Sequence, residues 1–185
     1  MTIKSIIITH TGYQDQEVIY PYHRLVEESA PDLLPVVFAE NVGPVRGILG
    51  TEIEATQNLR ALDTFSMSDW MQFDLLVLPG GVKALEKLRL NVGLITFIAG
   101  WNHAKKVIAV TCSGVQLLIS ARAVKGHSIA CYPAFAIDVE NAGGRYLDEP
   151  VAVSGHIVSS PHYRHLSPWM AAAIAQVKAR QGAKQ

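Results

Sequence analysis

Short apolar runs alternate with stretches of helical periodicity along this chain, and this alternation limits the folds that it can form. Each run is short, rich in strand-forming residues and followed by a helical or turn pattern. Because the runs are continuously apolar, they indicate strands buried on both faces, as in a parallel sheet flanked by helices. The predicted strands are Ile3 to Thr9, Leu34 to Ala39, Phe73 to Leu78, Val107 to Val110, Val151 to Ser154 and Ile157 to Ser160.

Three further segments carry local signals. Asp15 suits the N-cap of a helix that runs to about Ser29. The glycine-bounded segment VRGILGTEIEA predicts a small hairpin in place of another crossover. The Ser-Pro pair that opens Ser167 to Arg180 suits the N-cap and first position of an alanine-rich helix. Together these patterns predict one doubly wound α/β domain over residues 1–185.

The composition narrows the possible class of protein. Of the 185 residues, 49% are hydrophobic, which is enough to build one sizeable core. The formal net charge is zero, so the totals favour neither nucleic acid nor an anionic membrane as a partner, and a small-molecule substrate is expected instead. The N-terminal apolar run is too short for a secretory signal, which predicts a cytoplasmic protein with reduced cysteines. Spacing alone leaves a Cys112–Cys131 disulfide open.

Cys112 has the most informative position of any candidate functional residue. The segment KKVIAVTCSGVQLLIS places it between a predicted strand and the start of a helix. This position resembles a nucleophile elbow, in which Gly114 relieves the close packing of strand against helix. Unpaired N–H groups and the helix dipole favour a thiolate there. A free cysteine is also commonly a small buried hydrophobic residue, so position alone leaves both interpretations open.

Two other features follow predicted strands, at the edge where parallel sheets bind ligands. Gly80 and Gly81 end the segment VLPGG, and their amides, with that of Ser113, could stabilise an oxyanion. A plain tight turn is the simpler interpretation of that segment. Glu17 follows the first strand, where its carboxyl group could bond to the Cys112 thiol or shuttle a proton. In isolation it would be a favourable first-turn charge.

Five segments together resemble the ThiJ/PfpI superfamily, over nearly the whole chain and in the same order. They are DQEVIYPYHRL, LLVLPGG, EKLRLN, AVTCSGVQLLISARAVKG and VENAGGRYLDEPVAVSGHIVSS. The resemblance implies a flavodoxin-like (class I glutamine amidotransferase-like) three-layer sandwich with a mainly parallel central sheet. It also implies a homodimer or larger homo-oligomer, and a site in which a first-helix carboxyl touches an elbow cysteine beside an amide-rich pocket. The matching residues are Cys112, Glu17, Gly80, Gly81 and Ser113.

This sequence departs from the protease-like members of that superfamily at one position. They have a histidine after the cysteine, where this chain has Ser113. Glu86 is similar to the glutamate that such members supply across a subunit interface, but it has no adjacent imidazole to orient. A replacement base is predicted at His162, with surface histidines as the alternative, and Tyr132 is predicted to line the pocket or simply to pack.

The leading prediction is a cysteine-dependent hydrolase or lyase that acts on small electrophilic carbonyl or amide-like compounds, as glyoxalases and deglycases do. Cys112 would form the adduct and Glu17 would carry the proton. The alternatives are a non-catalytic redox or stress protein that senses oxidation at Cys112, a binding module, and an intracellular peptidase, which the missing histidine disfavours. No metal site and no cofactor are predicted, because the histidines are scattered over different elements.

Overall fold

A seven-stranded sheet organises the computed structural model, which describes residues 2–30 and 33–183. Its strand order is β10-β11-β7-β6-β1-β2-β5, and every neighbouring pair is parallel except β10 with β11. This confirms the prediction of a mainly parallel sheet. The strands of the sheet are β1 (Ser5–Ile8), β2 (Val36–Ala39), β5 (Gln57–Asn58), β6 (Leu75–Leu78), β7 (Val107–Thr111), β10 (Ala152–Ser154) and β11 (Ile157–Ser160). Two small pairs lie outside it: β3 (Gly43–Arg46) with β4 (Glu52–Ala55), and β8 (Ser128–Ile129) with β9 (Arg145–Tyr146).

Helices cover both faces of the sheet. As a result, the central strands β1, β6 and β7 are buried at every residue. On one side α1 packs against α7, and on the other α5 packs against α3, α4 and α6. The helices are α1 (Asp15–Val26), α2 (Met67–Met71), α3 (Val82–Leu88), α4 (Val92–His103), α5 (Val115–Ser120), α6 (Ala136–Asn141) and α7 (Leu166–Gly182). None of the helices in the described part of the chain has the length and apolar character that crossing a membrane requires.

The predicted hairpin is confirmed, and it explains the placement of Asp15. Strands β3 and β4 pair antiparallel, and Asp15 accepts hydrogen bonds from the amides of Leu49 and Thr51 in their connecting loop at 2.8 and 2.9 Å. The prediction that Asp15 is the N-cap of α1 is wrong. Gln14 is the cap, and its side chain accepts from the Glu17 amide at 3.2 Å.

The C-terminal helix begins slightly earlier than predicted. Helix α7 starts at Leu166, and its cap, His165, makes no side-chain capping bond, so the prediction of Ser167 as N-cap is wrong. The helix is anchored by burial, because Trp169 is fully buried and its indole donates to the Val158 carbonyl at 3.1 Å. Tertiary packing therefore sets where this helix starts, in place of the favourable Ser-Pro pair.

The sheet changes direction between β1 and β6. The chain proceeds from β1 to β2 and β5 on one side, and from β6 to β7 and β11 on the other. At such a switch point the loops after neighbouring strands separate and leave a crevice at the carboxyl edge. Glu17 lies in the first turn of α1, after β1, and Gly80 and Cys112 follow β6 and β7, so this crevice holds the predicted functional residues.

Candidate active site

Cys112 lies at a strained turn that directly follows β7. Its φ is +55°, in the left-handed region that non-glycine residues rarely adopt. A short 3-10 turn and then α5 follow, so the predicted strand-to-helix elbow is present. The amide of Tyr132 donates to the Cys112 carbonyl at 3.4 Å and helps to hold the turn. Cys112 and Cys131 are both free thiols, and Cys112 is partly exposed.

Two glycines allow the elbow to approach the end of β6. A Cβ atom at Gly114 would lie 2.4 Å from the Leu78 carbonyl oxygen, which confirms that Gly114 relieves the packing of strand against helix. A Cβ atom at Gly80 would lie 2.6 Å from Oε2 of Glu17, 2.9 Å from Oγ of Ser113 and 3.0 Å from Cβ of Cys112. These three side chains therefore converge on the space that the absent Gly80 side chain leaves.

Glu17 is completely buried, at 0% exposure, although it lies in the first turn of α1. Its Oε2 accepts from the Gly80 amide at 2.8 Å, while Oε1 has no well-formed hydrogen bond among the described residues. Burial raises the pKa of Glu17 to about 7, against the lowering effects of the Gly80 amide and the nearby Cys112 thiol. The carboxyl group can therefore gain and lose a proton near neutral pH, as a general acid or base must.

The amides of Gly80 and Gly81 are occupied by side chains of the site. The Gly80 N–H donates to Glu17, and the Gly81 N–H donates to the Ser113 hydroxyl at 3.0 Å. The prediction that both amides point at an oxyanion is therefore wrong for this arrangement, because each N–H has a single proton and already has an acceptor. The two glycines instead position the carboxyl and hydroxyl groups beside the thiol.

The Cys112 thiol is not the readily ionised group that its place before a helix predicts. Burial and the Glu17 charge raise the pKa of Cys112 to about 12, although the amide and hydroxyl of Ser113 oppose that shift. The prediction of a thiolate favoured by the helix terminus is wrong while Glu17 is charged. The two groups form a coupled pair, so a proton leaves the sulfur most easily when the carboxylate takes it up.

His162 and Tyr132 meet at the same edge of the sheet. Their rings stack with centroids 6.3 Å apart, and His162 follows β11, whose Ser160 pairs with Thr111 just before the elbow. Among the residues that the structure describes, no hydrogen bond joins His162 to Cys112. The Nδ1 atom of His162 accepts from the Arg164 amide at 3.3 Å, so the neutral ring carries its proton on Nε2.

That tautomer bears on the predicted role of His162 as a base. Burial and the charges of Arg164 and His165 lower the pKa of His162, so the neutral ring is favoured. A neutral ring with its proton on Nε2 can also donate a hydrogen bond, and the role of His162 as a base stays a prediction. Tyr132 is 42% exposed beside it, and its ring also contacts Phe135.

Glu86 is not brought to the site within one chain. It is exposed on α3, and among residues 2–30 and 33–183 no side-chain hydrogen bond or ion pair joins it to the elbow. The same residues contain no group of three side chains suited to a metal ion. Sequence analysis missed the Ser113 hydroxyl, which it treated only as the bearer of an amide, because nothing in the local pattern shows its bond to Gly81.

The fold and the site together define a class of protein. It is an α/β sandwich with a cysteine at a strand-to-helix elbow, next to a buried carboxyl group from the first helix. Within that class the chain belongs to the DJ-1/PfpI family, which it matches over residues 4–176.

Similar proteins agree with this assignment. The chain is 34% identical over 168 residues to the deglycase PfpI of Pyrococcus furiosus, covering 91% of this chain and 95% of that one. It is 33% identical over 151 residues to general stress protein 18 of Bacillus subtilis, covering 81% and 83%. A two-domain protein of Anabaena variabilis with DJ-1/ThiJ/PfpI-like and ferritin-like domains superposes with a TM-score of 0.83 at 26% identity. That match covers 94% of this chain and 49% of the other, and it confirms the predicted flavodoxin-like fold.

Proposed function

We propose that the protein is a cysteine-dependent hydrolase of the deglycase and glyoxalase type, acting on small electrophilic carbonyl compounds and their amine adducts in a stress-related role. The observation that carries the proposal is the buried Glu17 carboxyl, whose pKa of about 7 suits proton transfer beside the Cys112 thiol. Relatives named as deglycases and a relative named as a general stress protein support the same assignment.

In the proposed first step Glu17 takes the proton of Cys112 while the sulfur attacks a carbonyl carbon. The carbonyl π bond breaks, and its oxygen receives that proton, which gives a hemithioacetal with no net change in protons. For a dicarbonyl substrate, Glu17 then moves a proton from the adduct carbon to the neighbouring carbon, and the hydroxyl proton of the adduct passes to the neighbouring oxygen. The product is a 2-hydroxy thioester. Water cleaves the thioester to a carboxylate and returns the free thiol. The Nε2–H of His162 and the Tyr132 phenol are the proposed donors to the substrate oxygen.

The test measures turnover of methylglyoxal, and of its adduct with an amine, by purified variants. Cys112→Ala should abolish turnover, and Glu17→Gln should lower it by about 10²- to 10⁴-fold, the usual contribution of a general acid or base. Cys131→Ser is the matched control and should retain wild-type turnover, because Cys131 is buried in the core and no hydrogen bond among the described residues joins its thiol to Cys112, Glu17 or Ser113. Equal activity of the wild type and Cys112→Ala would contradict the proposal.

The rate should also depend on pH with a recognisable sign. Because the base form of Glu17 is required, kcat/KM should rise as pH passes through about 7. Glu17→Gln should remove that limb. A wild-type profile that is flat between pH 6 and 8 would exclude Glu17 as the group that carries the proton.

A second candidate function is peroxide sensing at Cys112. It is favoured by Oε1 of Glu17, which has no hydrogen-bond partner in the part of the chain that the structure describes. In this scheme two molecules of peroxide convert the thiolate to a sulfinate with release of two molecules of water, and protonated Glu17 donates to a sulfinate oxygen. Mass spectrometry after mild peroxide treatment should then find two added oxygens on Cys112 and none on Cys131. Oxidation of both thiols to the same extent would exclude a specific sensor.

We also propose that the protein works in the cytoplasm as a homodimer or larger homo-oligomer, with Glu86 contributing to a neighbouring subunit. Support comes from the exposure of Glu86 and of the nearby apolar residues Leu90 and Val92. Light scattering should give a mass of at least two chains. A monomer that retains full turnover would contradict this part of the proposal.

A further inference from the structure

Ser113 is buried in the site with a hydroxyl group that must find both kinds of hydrogen-bond partner. Only 2% of the residue is exposed, so its hydroxyl is shielded from bulk solvent. The Gly81 amide donates to its oxygen at 3.0 Å. That bond uses the oxygen as an acceptor, so the hydroxyl proton remains to be donated elsewhere.

The surroundings of Ser113 leave few acceptors for this proton. Among residues 2–30 and 33–183, no carbonyl, carboxylate or hydroxyl oxygen accepts a hydrogen bond from the side-chain hydroxyl of Ser113. The sulfur of the preceding residue, Cys112, lies on the same wall of the crevice, and it is the acceptor on which the Ser113 hydroxyl acts when it lowers the pKa of the thiol. A Cβ atom at Gly80 would lie within 3.0 Å of both Oγ of Ser113 and Cβ of Cys112, which places the two side chains against one space.

We propose that the Ser113 hydroxyl, oriented by the Gly81 amide, donates its proton to the sulfur of Cys112 and stabilises the thiolate. The inference rests on the proposed function, in which that thiolate attacks the substrate. Ser113 acts here through Cys112 and is a positioning residue. The direction agrees with the electrostatics of the site, since the hydroxyl and amide of Ser113 both lower the pKa of Cys112.

This role differs from that of a base at the same place. A serine hydroxyl donates a hydrogen bond but does not take up a proton near neutral pH. Glu17 therefore takes the proton from the sulfur, because its carboxyl group lies beside the thiol and has a pKa of about 7. The residue after the cysteine, Ser113, supplies a hydrogen bond to the thiolate, and Glu17 is the group that accepts the proton.

The test follows the thiol itself by alkylation with iodoacetamide between pH 6 and 11, in a Cys131→Ser background so that one cysteine reacts. Ser113→Ala should slow alkylation at pH 8 about tenfold and move the pH limb upward by about one unit, as expected for loss of one hydrogen bond to a charged acceptor. Ser113→Thr keeps the hydroxyl and should restore the wild-type limb. A general loosening of the fold would expose the sulfur and speed its alkylation, which is opposite to the slowing expected for Ser113→Ala.

An unchanged pH limb in Ser113→Ala would overturn the inference, and so would a Ser113→Thr variant that behaves like Ser113→Ala. The alkylation assay needs no substrate of the enzyme. If the wild type fails to hydrolyse carbonyl adducts while Ser113→Ala still shifts the limb, the proposed function fails and the Ser113 inference stands. If turnover is confirmed but the limb does not move, the Ser113 inference alone fails.

Discussion

Replacing Glu17 by Gln should change how the stability of the protein depends on pH. The folded-state pKa of Glu17, about 7, lies above the ordinary value of 4.5, so the folded protein binds a proton that the unfolded chain has already lost between these values. The stability that this group contributes is fully present below pH 4.5 and is lost as pH rises through about 7. Glu17→Gln removes that loss and keeps an acceptor for the Gly80 amide.

A second buried group acts in the opposite direction. His156 is buried in the turn just before β11, with Nε2 2.7 Å from the Asn102 side-chain oxygen and its ring centroid 5.3 Å from that of His127. Burial, and then the charges of His127, Lys105 and Arg180, lower the pKa of His156 to about 4 from 6.5. The unfolded chain therefore binds the extra proton between these values, and stability falls as pH decreases from 6.5 to 4.

The two effects are of similar size over the same range. A shift of one pKa unit corresponds to about 1.4 kcal/mol, and between pH 5 and 6 each group changes the free energy of unfolding by about 1 kcal/mol. Their signs are opposite, so they largely cancel in the wild type. Relative to the wild type, the stability of Glu17→Gln should increase by about 1 kcal/mol from pH 5 to pH 6, and that of His156→Gln should decrease by the same amount.

Urea unfolding followed by tryptophan fluorescence at pH 5.0, 5.5 and 6.0 measures these differences. Other titrating groups contribute equally to all variants and cancel in the comparison. Glu27→Gln, an exposed position on the surface next to the end of α1, is the matched control and should follow the wild type. If Glu17→Gln keeps the wild-type slope, the carboxyl is not protonated in the folded protein near neutral pH, and the proposed proton transfer loses its basis.

Two further substitutions test the packing that positions the site. Gly80→Ala should destabilise the protein by about 1–3 kcal/mol and lower turnover by about 100-fold, because the added Cβ would lie 2.6 Å from Oε2 of Glu17. Gly100→Ala is the control, since its added Cβ would have no contact shorter than 3.8 Å. In thermal unfolding this control should be neutral or stabilising. Wild-type turnover in Gly80→Ala would contradict the geometry. Asp15→Asn should destabilise the protein by about 1–3 kcal/mol and make the loop between β3 and β4 sensitive to limited proteolysis. The reason is that the Asp15 carboxylate accepts hydrogen bonds from both loop amides. An unchanged cleavage rate would show that Asp15 does not hold the loop.

The strands and the hairpin could be predicted because their signals are local. A run such as VIAV between polar segments has few alternatives to a buried strand, and β7 forms there. The first residues of α1 and α7 were predicted wrongly, although both segments contain good caps. The Asp15 side chain bonds to the loop between β3 and β4 and does not cap α1. In α7 the burial of Trp169 against β11 anchors a helix that starts before the predicted cap. Contacts from distant parts of the chain outweighed local preference at both helix starts.

The sequence by itself determined the parallel sheet, the cysteine at the elbow and the two glycines that let the backbone approach it, because each depends on residues close together in the chain. Only the tertiary structure decided the protonation of the site. The pKa of Glu17 depends on burial and on the Gly80 amide, and the Ser113 hydroxyl is oriented by an amide 32 positions away. Electrostatic shifts arise from the groups that surround a charge in space, and residues far apart in the sequence supply them here.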